Sequence, residues 1–193
     1  RPVWLAASTR EGEETLILDA FARINRPDVI LLLVPRHPQR FAEVATLIEQ
    51  QKLAFCRRSD DALPAEETRV WLGDSMGEMP AYFAVANLAV MGGTLLPFGG
   101  QNLIEAAACS CPVLVGPHSF NFTQATEDAI AGGAARRIND ADNAANEAMN
   151  LLADVIALQT MRDAASRFSQ AHRGATARTM TLISQIMAPR IAD

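Results

Sequence analysis

The chain has 193 residues, of which 49% are hydrophobic and 20% are charged, so it is long and apolar enough to build one well-packed domain. This balance excludes a disordered chain, and the longest apolar run (residues 29–34) is too short to span a membrane as a helix. A net charge of −5 argues against a broad nucleic-acid surface. The chain begins without Met, inside an apparent strand, so we expect it to be part of a longer protein.

Strand-like and helix-like segments alternate along the chain. Short apolar runs predict strands at residues 3–7, 29–34, 53–57, 70–72, 88–91, 113–115 and 134–138. Helical spacing of apolar residues predicts helices at 12–24, from Pro38 through Ile48, at 79–86, 101–109, 121–131, 140–154, 156–171 and 175–187. This order predicts an α/β fold with a Rossmann-like, doubly wound parallel sheet over residues 1–154, and C-terminal helices over 155–193.

Several common functions lack their motifs. Three cysteines, with Cys109 and Cys111 separated by one residue, make a poor disulfide or metal framework. Lys52 is the only lysine and follows Gln51, which excludes a P-loop. No strand is followed by the G-x-G-x-x-G fingerprint, which disfavours an NAD-binding domain.

The loops after the strands are the places to look, because open parallel sheets bind ligands beyond the carboxyl ends of their strands. After the first strand, Ser8 and Thr9 precede acidic residues, which indicates either a simple helix cap or an anion-binding helix start. After the second strand, Arg36 stands between Pro35 and Pro38. An arginine held in this way suits a phosphate or carboxylate; the alternative is an ordinary surface arginine.

A G-x-S-x-G pattern spans residues 73–77, between a predicted strand and a predicted helix. It is typical of the nucleophile elbow of α/β-hydrolases, and Ser75, Asp128 and His172 follow that fold's chain order. A serine esterase is therefore one alternative function. The sequence has no His-Gly-Gly oxyanion loop to support it.

Two glycine pairs, Gly92-Gly93 and Gly99-Gly100, precede the helix predicted at 101–109. Asn102 and Glu105 lie one turn apart at its start. A carboxylate there can accept the two hydroxyls of a ribose while the helix N-terminus faces a phosphate, or the pair can simply be a capping box. Glycines on both sides of the loop favour ligand binding, and the whole pattern is typical of a nucleotide-sugar site.

Five sequence blocks, which together cover about residues 1–122, resemble the C-terminal domain of the 3-deoxy-D-manno-octulosonic acid (Kdo) transferases. The blocks are residues 3–14, 34–41, 73–78, 92–107 and 116–122. The resemblance implies a GT-B glycosyltransferase, in which two Rossmann-like domains face each other across a cleft. It also implies transfer of Kdo from CMP-Kdo to the lipid A precursor of lipopolysaccharide, at the cytoplasmic face of the bacterial inner membrane.

In this family the acceptor, the membrane association and the general base, a Glu, belong to the full-length protein with its N-terminal domain. The resemblance therefore implies that this chain alone binds the donor without transferring it, and that no metal or other cofactor is needed. Residues 155–193 are expected to pack on the donor domain or on the N-terminal domain. A non-catalytic nucleotide-binding module is the remaining alternative.

The resemblance also assigns roles by motif. Pro35 and Arg36 are expected to contact the donor, with Arg36 on the phosphate; Met76, Gly77 and Glu78 to line the cytidine, largely through backbone; and Asn102, Leu103, Ile104 and Glu105 to hold phosphate and ribose, with Glu105 on the ribose hydroxyls. Candidate contacts to the donor sugar are Ser8, Thr9, Gly93 and Gln101. The chain departs from the family at Arg10 and Gln101, where the family often has His, and at Ser75, where Thr is common and a serine nucleophile is therefore less expected.

Overall fold

The computed structural model describes residues 1–61, 63–172, 179–181 and 183–184. Seven parallel strands form one sheet in the order β3-β4-β2-β1-β5-β6-β7. The strands are β1 (Val3–Thr9), β2 (Ile30–Pro35), β3 (Phe55–Arg57), β4 (Val70–Leu72), β5 (Leu88–Met91), β6 (Val113–Val115) and β7 (Ala135–Arg137). This sheet confirms the predicted α/β, doubly wound architecture.

Helices cover both faces of the sheet. They are α1 (Glu13–Ala22), α2 (Phe41–Gln50), α3 (Met79–Val85), α4 (Leu103–Ala108), α5 (Thr123–Ala131), α6 (Ala141–Ala153) and α7 (Val155–His172). Short 3₁₀ turns lie at Pro38–Arg40, Arg58–Asp60 and Phe120–Phe122. Within the described part of the chain, no helix combines the length and apolar character needed to cross a membrane.

The central strands are buried on both sides, which is why their sequences are continuously apolar. In β1, Trp4 and Ala6 belong to one hydrophobic cluster, and Leu5 and Ala7 belong to the other. The first cluster is completed by α1, α2 and α6, and the second by α3, α4 and α5. Helix α7 contributes to both, through Leu158 and Met161 at its start and Ala164, Ala165 and Phe168 further on.

The observed elements differ from the predicted ones mainly at their ends. Strand β1 continues to Thr9, beyond the predicted end at residue 7, because the backbone N–H of Arg36 donates to the carbonyl of Thr9 (3.0 Å). Helix α4 is shorter than predicted, because Gly99 and Gly100 have φ of +89° and +84° and leave Asn102 as the N-cap. The helix expected at 175–187 lies mostly outside the described residues.

The ends of β1 and β5 come unusually close at Gly92. Its backbone N–H donates to the carbonyl of Ala7 (2.8 Å), and an added Cβ would stand 2.3 Å from the carbonyl oxygen of Ser8. This contact lies beside the point where the chain order reverses in the sheet, between β1 and β5. Only glycine allows the two strand ends to meet there.

Gly92→Ala is therefore expected to lower the free energy of unfolding by about 3 kcal/mol, since backbone rather than a flexible side chain must move. Urea denaturation measures the loss. Gly132→Ala is the matched control, because Gly132 has an ordinary φ of −78° and a Cβ there would meet nothing closer than 3.2 Å. Equal losses in the two variants would contradict the steric argument.

Candidate functional site

Two adjoining cavities lie at the carboxyl ends of β1, β2, β4 and β5, where an open parallel sheet is expected to bind ligands. One has a volume of about 310 Å³ and is lined by Ser8, Arg36, Met79, Phe83, Met91, Gln101, Asn102, Glu105 and Phe122. The other has a volume of about 200 Å³ and is lined by Ser8, Val34, Pro35, Arg36, Ser75, Met76, Gly77 and Met79. Because Ser8, Arg36 and Met79 line both, the two cavities form one continuous cleft.

Arg36 is the cationic side chain of this cleft. It follows β2 directly, and its guanidinium is exposed and forms no hydrogen bond or ion pair with any described residue. Arg40, four residues later, contrasts with it. Burial alone would lower the pKa of Arg40, but hydrogen bonds to Glu43 and Glu14 raise it well above its usual value. The guanidinium of Arg40 is therefore held within the fold by two carboxylates. Arg36 is thus left free for an external anion.

The start of α4 supplies the acidic side of the cleft. The Oδ1 of Asn102 accepts the backbone N–H of Ile104 (3.1 Å), and its Nδ2 donates to Oε1 of Glu105 (3.3 Å). Asn102 is therefore a true N-cap. Among the described contacts, however, Glu105 makes no reciprocal bond to the backbone of Asn102, as a capping box requires. The Glu105 carboxylate is exposed and lines the 310 Å³ cavity.

Leu103 and Ile104 contribute differently from their neighbours. The side chain of Leu103 is buried in the core, so only its backbone is available to a ligand. The N–H of Ile104 is already occupied by Asn102. The polar side chains available at this helix start are therefore those of Asn102 and Glu105.

The glycine-rich loop between β5 and α4 is held in place by Glu13, which is completely buried. One carboxylate oxygen of Glu13 accepts the N–H groups of Gly93 (2.6 Å) and Arg10 (2.9 Å), and the other accepts that of Leu95 (2.9 Å). The sequence indicated a capping or anion-binding role for this acidic stretch and contained no sign of a contact some 80 residues away. Glu13 thus connects the loop after β1 to the loop after β5.

The structure brings two of the four candidate sugar contacts to the cleft. Ser8, with an unusual φ of +56°, and Gln101 both line the 310 Å³ cavity. Thr9 does not, since its buried hydroxyl donates to Glu14 (2.8 Å). The N–H of Gly93 is also occupied, by Glu13.

The loop between β4 and α3 is stabilised by a polar cluster around Glu78. The carboxylate of Glu78 accepts hydrogen bonds from Ser75, from Arg58 (3.1 Å) and from Tyr82 (3.4 Å). The Ser75 hydrogen bond is the main reason that the pKa of Glu78 is lowered, and burial raises the pKa of Tyr82. Above this cluster, Gly77 has a φ of +78° with open space beside it, and Met76 is exposed.

The serine esterase alternative is wrong. The hydroxyl of Ser75 lies 2.5 Å from the hydroxyl of Tyr82 and also bonds to Glu78, and neither partner is a histidine. His172 interacts with the carbonyl of Phe168 (2.9 Å), and Asp128 accepts from Gln124 (2.8 Å). The three residues in hydrolase order therefore each have other partners, because tertiary packing places them on separate elements.

In the part of the chain that is described, no cluster of three or more His, Cys, Asp or Glu side chains is placed to hold a metal ion. The cleft thus offers one free guanidinium, one exposed carboxylate and an open glycine-containing loop. That combination is suited to an organic anion that also carries hydroxyl groups.

Comparison with solved structures defines the class. The C-terminal CMP-Kdo binding domain of WaaA from Acinetobacter baumannii is similar with a TM-score of 0.85 and 33% identity, over 88% of this chain and 90% of that one. Sucrose-phosphate synthase from Thermosynechococcus elongatus shares the fold, with a TM-score of 0.67 over 97% of this chain and 46% of that one. The chain thus has the α/β fold of the C-terminal domains of GT-B glycosyltransferases.

Curated relatives define the family. The 3-deoxy-D-manno-octulosonic acid transferase of Bordetella pertussis is 48% identical over 93% of this chain, and that of Haemophilus influenzae is 37% identical over 95%. No protein-family model matches the sequence. The chain belongs to the Kdo transferase family, and it spans 44% of the length of each of these two relatives.

Proposed function

We propose that this chain binds CMP-Kdo in the cleft at the carboxyl ends of β1, β2, β4 and β5, as the donor domain of a Kdo transferase. The observation that carries the proposal is the cleft itself. Arg36, which has no ion-pair partner in the described part of the chain, and the exposed Glu105 line one cavity there, at the sheet's switch point. The similarity to a CMP-Kdo binding domain supports the choice of ligand.

Arg36 is assigned to the phosphate of the donor. Its guanidinium presents several N–H donors and pairs with no carboxylate among the described residues, so it can form charge-assisted hydrogen bonds to phosphate oxygens without breaking a described contact. Negative charge grows on CMP as the bond to the sugar breaks. A fixed cation beside the phosphate stabilises that charge, and Arg36 therefore assists departure of the leaving group as well as binding.

Glu105 is assigned to the ribose. An ionised carboxylate is an acceptor only, which matches a pair of neighbouring hydroxyl donors. Asn102 orients it through the 3.3 Å hydrogen bond from Nδ2. The ribose would then lie in the 310 Å³ cavity, beside the phosphate on Arg36.

The cytidine base is assigned to the 200 Å³ cavity that Met76 and Gly77 line. The carboxylate of Glu78 already serves Ser75, Arg58 and Tyr82, so it is not free to read the base. Recognition therefore falls to the backbone of this loop and to the side chain of Met76. The open space beside Gly77 leaves room for a planar ring.

We propose that the whole protein transfers Kdo to the lipid A precursor at the cytoplasmic face of the inner membrane. The acceptor site and the general base, a Glu, would come from the N-terminal domain of the GT-B pair. No metal is invoked, because Arg36 supplies the positive charge at the phosphate.

A CMP titration followed by residue-resolved chemical shifts tests the site. We expect saturable shifts at Arg36, at residues 76–78 and at 102–105, and about tenfold weaker binding for Glu105→Gln, since a hydrogen bond to a charged group contributes about 1.5–3 kcal/mol. Glu49→Gln, an exposed acid on α2 outside the cleft, is the control. For 2′-deoxy-CMP, which lacks one of the two ribose hydroxyls, the loss of affinity caused by Glu105→Gln should be smaller. Undiminished CMP binding by Glu105→Gln would overturn the ribose assignment.

A further inference from the structure

We infer that Arg10, stacked on Phe98, binds the carboxylate of the donor's acidic sugar and thereby distinguishes CMP-Kdo from nucleotide sugars without an acid group. The inference rests on the proposed function, because it assumes a CMP-linked donor in the cleft. It adds a specificity-determining residue that lies in the loop after β1, outside the set that lines the cavities.

The position of Arg10 is set by its backbone. Its N–H donates to Glu13 (2.9 Å) and its carbonyl accepts the N–H of Glu13 (3.0 Å), so the loop closes on itself just before α1. The guanidinium carbon then lies 4.7 Å from the centre of the Phe98 ring, in the glycine-rich loop after β5. The side chain therefore reaches across the β1–β5 switch point.

Phe98 is a firm platform for this cation. The Nδ2 of Asn121 donates to the carbonyl of Phe98 (3.1 Å), and the backbone N–H of Asn121 donates to that of Gly99 (3.0 Å). Glu13 thus holds the backbone of Arg10, and Asn121 holds the backbone of Phe98. A cation–π contact of this kind favours one orientation of a long side chain.

The stacking leaves the hydrogen-bonding capacity of Arg10 unused. No described carboxylate or carbonyl accepts from its guanidinium, which lies over the ring of Phe98. Arg58 and Arg137, by contrast, are held by Glu78 and Glu127. A half-buried arginine that lies over an aromatic ring, and whose N–H groups have no partner among the described residues, is suited to bind a planar anion.

The donor supplies such an anion at a suitable place. In CMP-Kdo the phosphate is attached to C2 of the sugar, and the carboxylate is C1, on that same carbon. With the phosphate on Arg36, the carboxylate lies a few ångströms further on. Ser8 and Gln101, which line the cavity with Arg36, lie two residues before Arg10 and three residues after Phe98. The loops that carry Arg10 and Phe98 therefore also carry residues of the cavity, and the second negative charge of the donor is assigned to Arg10.

The test compares two ligands on one set of variants. Isothermal titration gives the Kd of CMP and of freshly prepared CMP-Kdo for the wild type, Arg10→Gln, Phe98→Leu and the control Arg23→Gln. Arg23 carries the same charge but follows the far end of α1, in an exposed ion pair with Asp142. We expect Arg10→Gln to weaken CMP-Kdo about 10- to 100-fold and CMP less than twofold, with a smaller effect of the same kind for Phe98→Leu.

The outcomes separate this inference from the proposed function. Equal weakening of both ligands by Arg10→Gln, or no weakening of either, overturns the role of Arg10 while CMP binding by the wild type still supports the proposed function. A wild-type chain that binds neither ligand overturns both. If Arg23→Gln weakened CMP-Kdo binding to the same extent, the effect would come from net charge alone, and the inference would also be overturned.

Discussion

Arg36→Ala is expected to weaken CMP binding by about 10- to 100-fold, because the variant loses about 1.5–3 kcal/mol of charge-assisted hydrogen bonding to the phosphate. The fold itself should be unaffected, since the guanidinium has no described partner to lose and the neighbouring backbone bond, from the Arg36 N–H to Thr9, remains. Titration of CMP by calorimetry measures the affinity, and a urea denaturation of the same sample checks the stability.

Two companion variants make this result specific. Arg36→Lys keeps the charge but not the planar fork, so it should recover only part of the affinity. Arg57→Ala removes an arginine that is the last residue of β3, three strands away from β1 in the sheet order. Arg57→Ala should change the affinity for CMP only slightly. If Arg57→Ala weakened binding as much as Arg36→Ala, the phosphate assignment would be incorrect.

Glu13→Ala is expected to lower the free energy of unfolding by about 3–5 kcal/mol. The carboxylate is completely buried and accepts the N–H groups of Gly93, Leu95, Leu96 and Arg10, so its removal leaves four donors without this acceptor and opens a small void. CMP binding should weaken too, since the glycine-rich loop is no longer held. Urea denaturation, with the midpoint and slope both fitted, measures the loss.

The neighbouring acid is the control for this second variant. Glu11→Ala changes an exposed residue in the same loop and should alter stability by less than about 0.5 kcal/mol. Glu13→Gln keeps the volume but turns one acceptor into a donor that faces an N–H, so an intermediate loss of about 1–3 kcal/mol is expected. A loss for Glu13→Ala no larger than for Glu11→Ala would show that the loop is held by other contacts.

Much of the fold follows from local sequence. A strand buried on both faces needs an uninterrupted apolar run, and β2 shows one; a surface helix needs apolar residues at helical spacing, and α2 shows them at Val44, Ala45 and Ile48. Because successive strands are parallel, their carboxyl ends meet at one edge. That rule places Arg36 and Glu105 together without any knowledge of distances, and the structure confirms that they line one cavity. Their contacts with a donor stay predictions.

Other features depend on contacts between distant segments, and no local pattern reports them. Glu13 has the local signature of a helix cap, yet its carboxylate binds a loop 80 residues away. Ser75 has the local signature of a nucleophile, yet packing surrounds it with Glu78 and Tyr82. The position of β4 between β2 and β3 is likewise not visible in the sequence, because several sheet orders are compatible with the same alternation of strands and helices.

For this protein, the amino-acid sequence by itself determined the class of fold, the family and the strand ends at which a nucleotide sugar is expected, because periodicity, strand-end residues and short motifs are local properties. The tertiary structure alone decided which side chains are free. Arg36 and Arg10 lack a carboxylate partner among the described residues, whereas Arg40, Thr9 and Glu13 are engaged within the fold. Whether a polar group can bind a ligand depends on whether the folded chain already satisfies it, and that is settled by neighbours that come from other parts of the sequence.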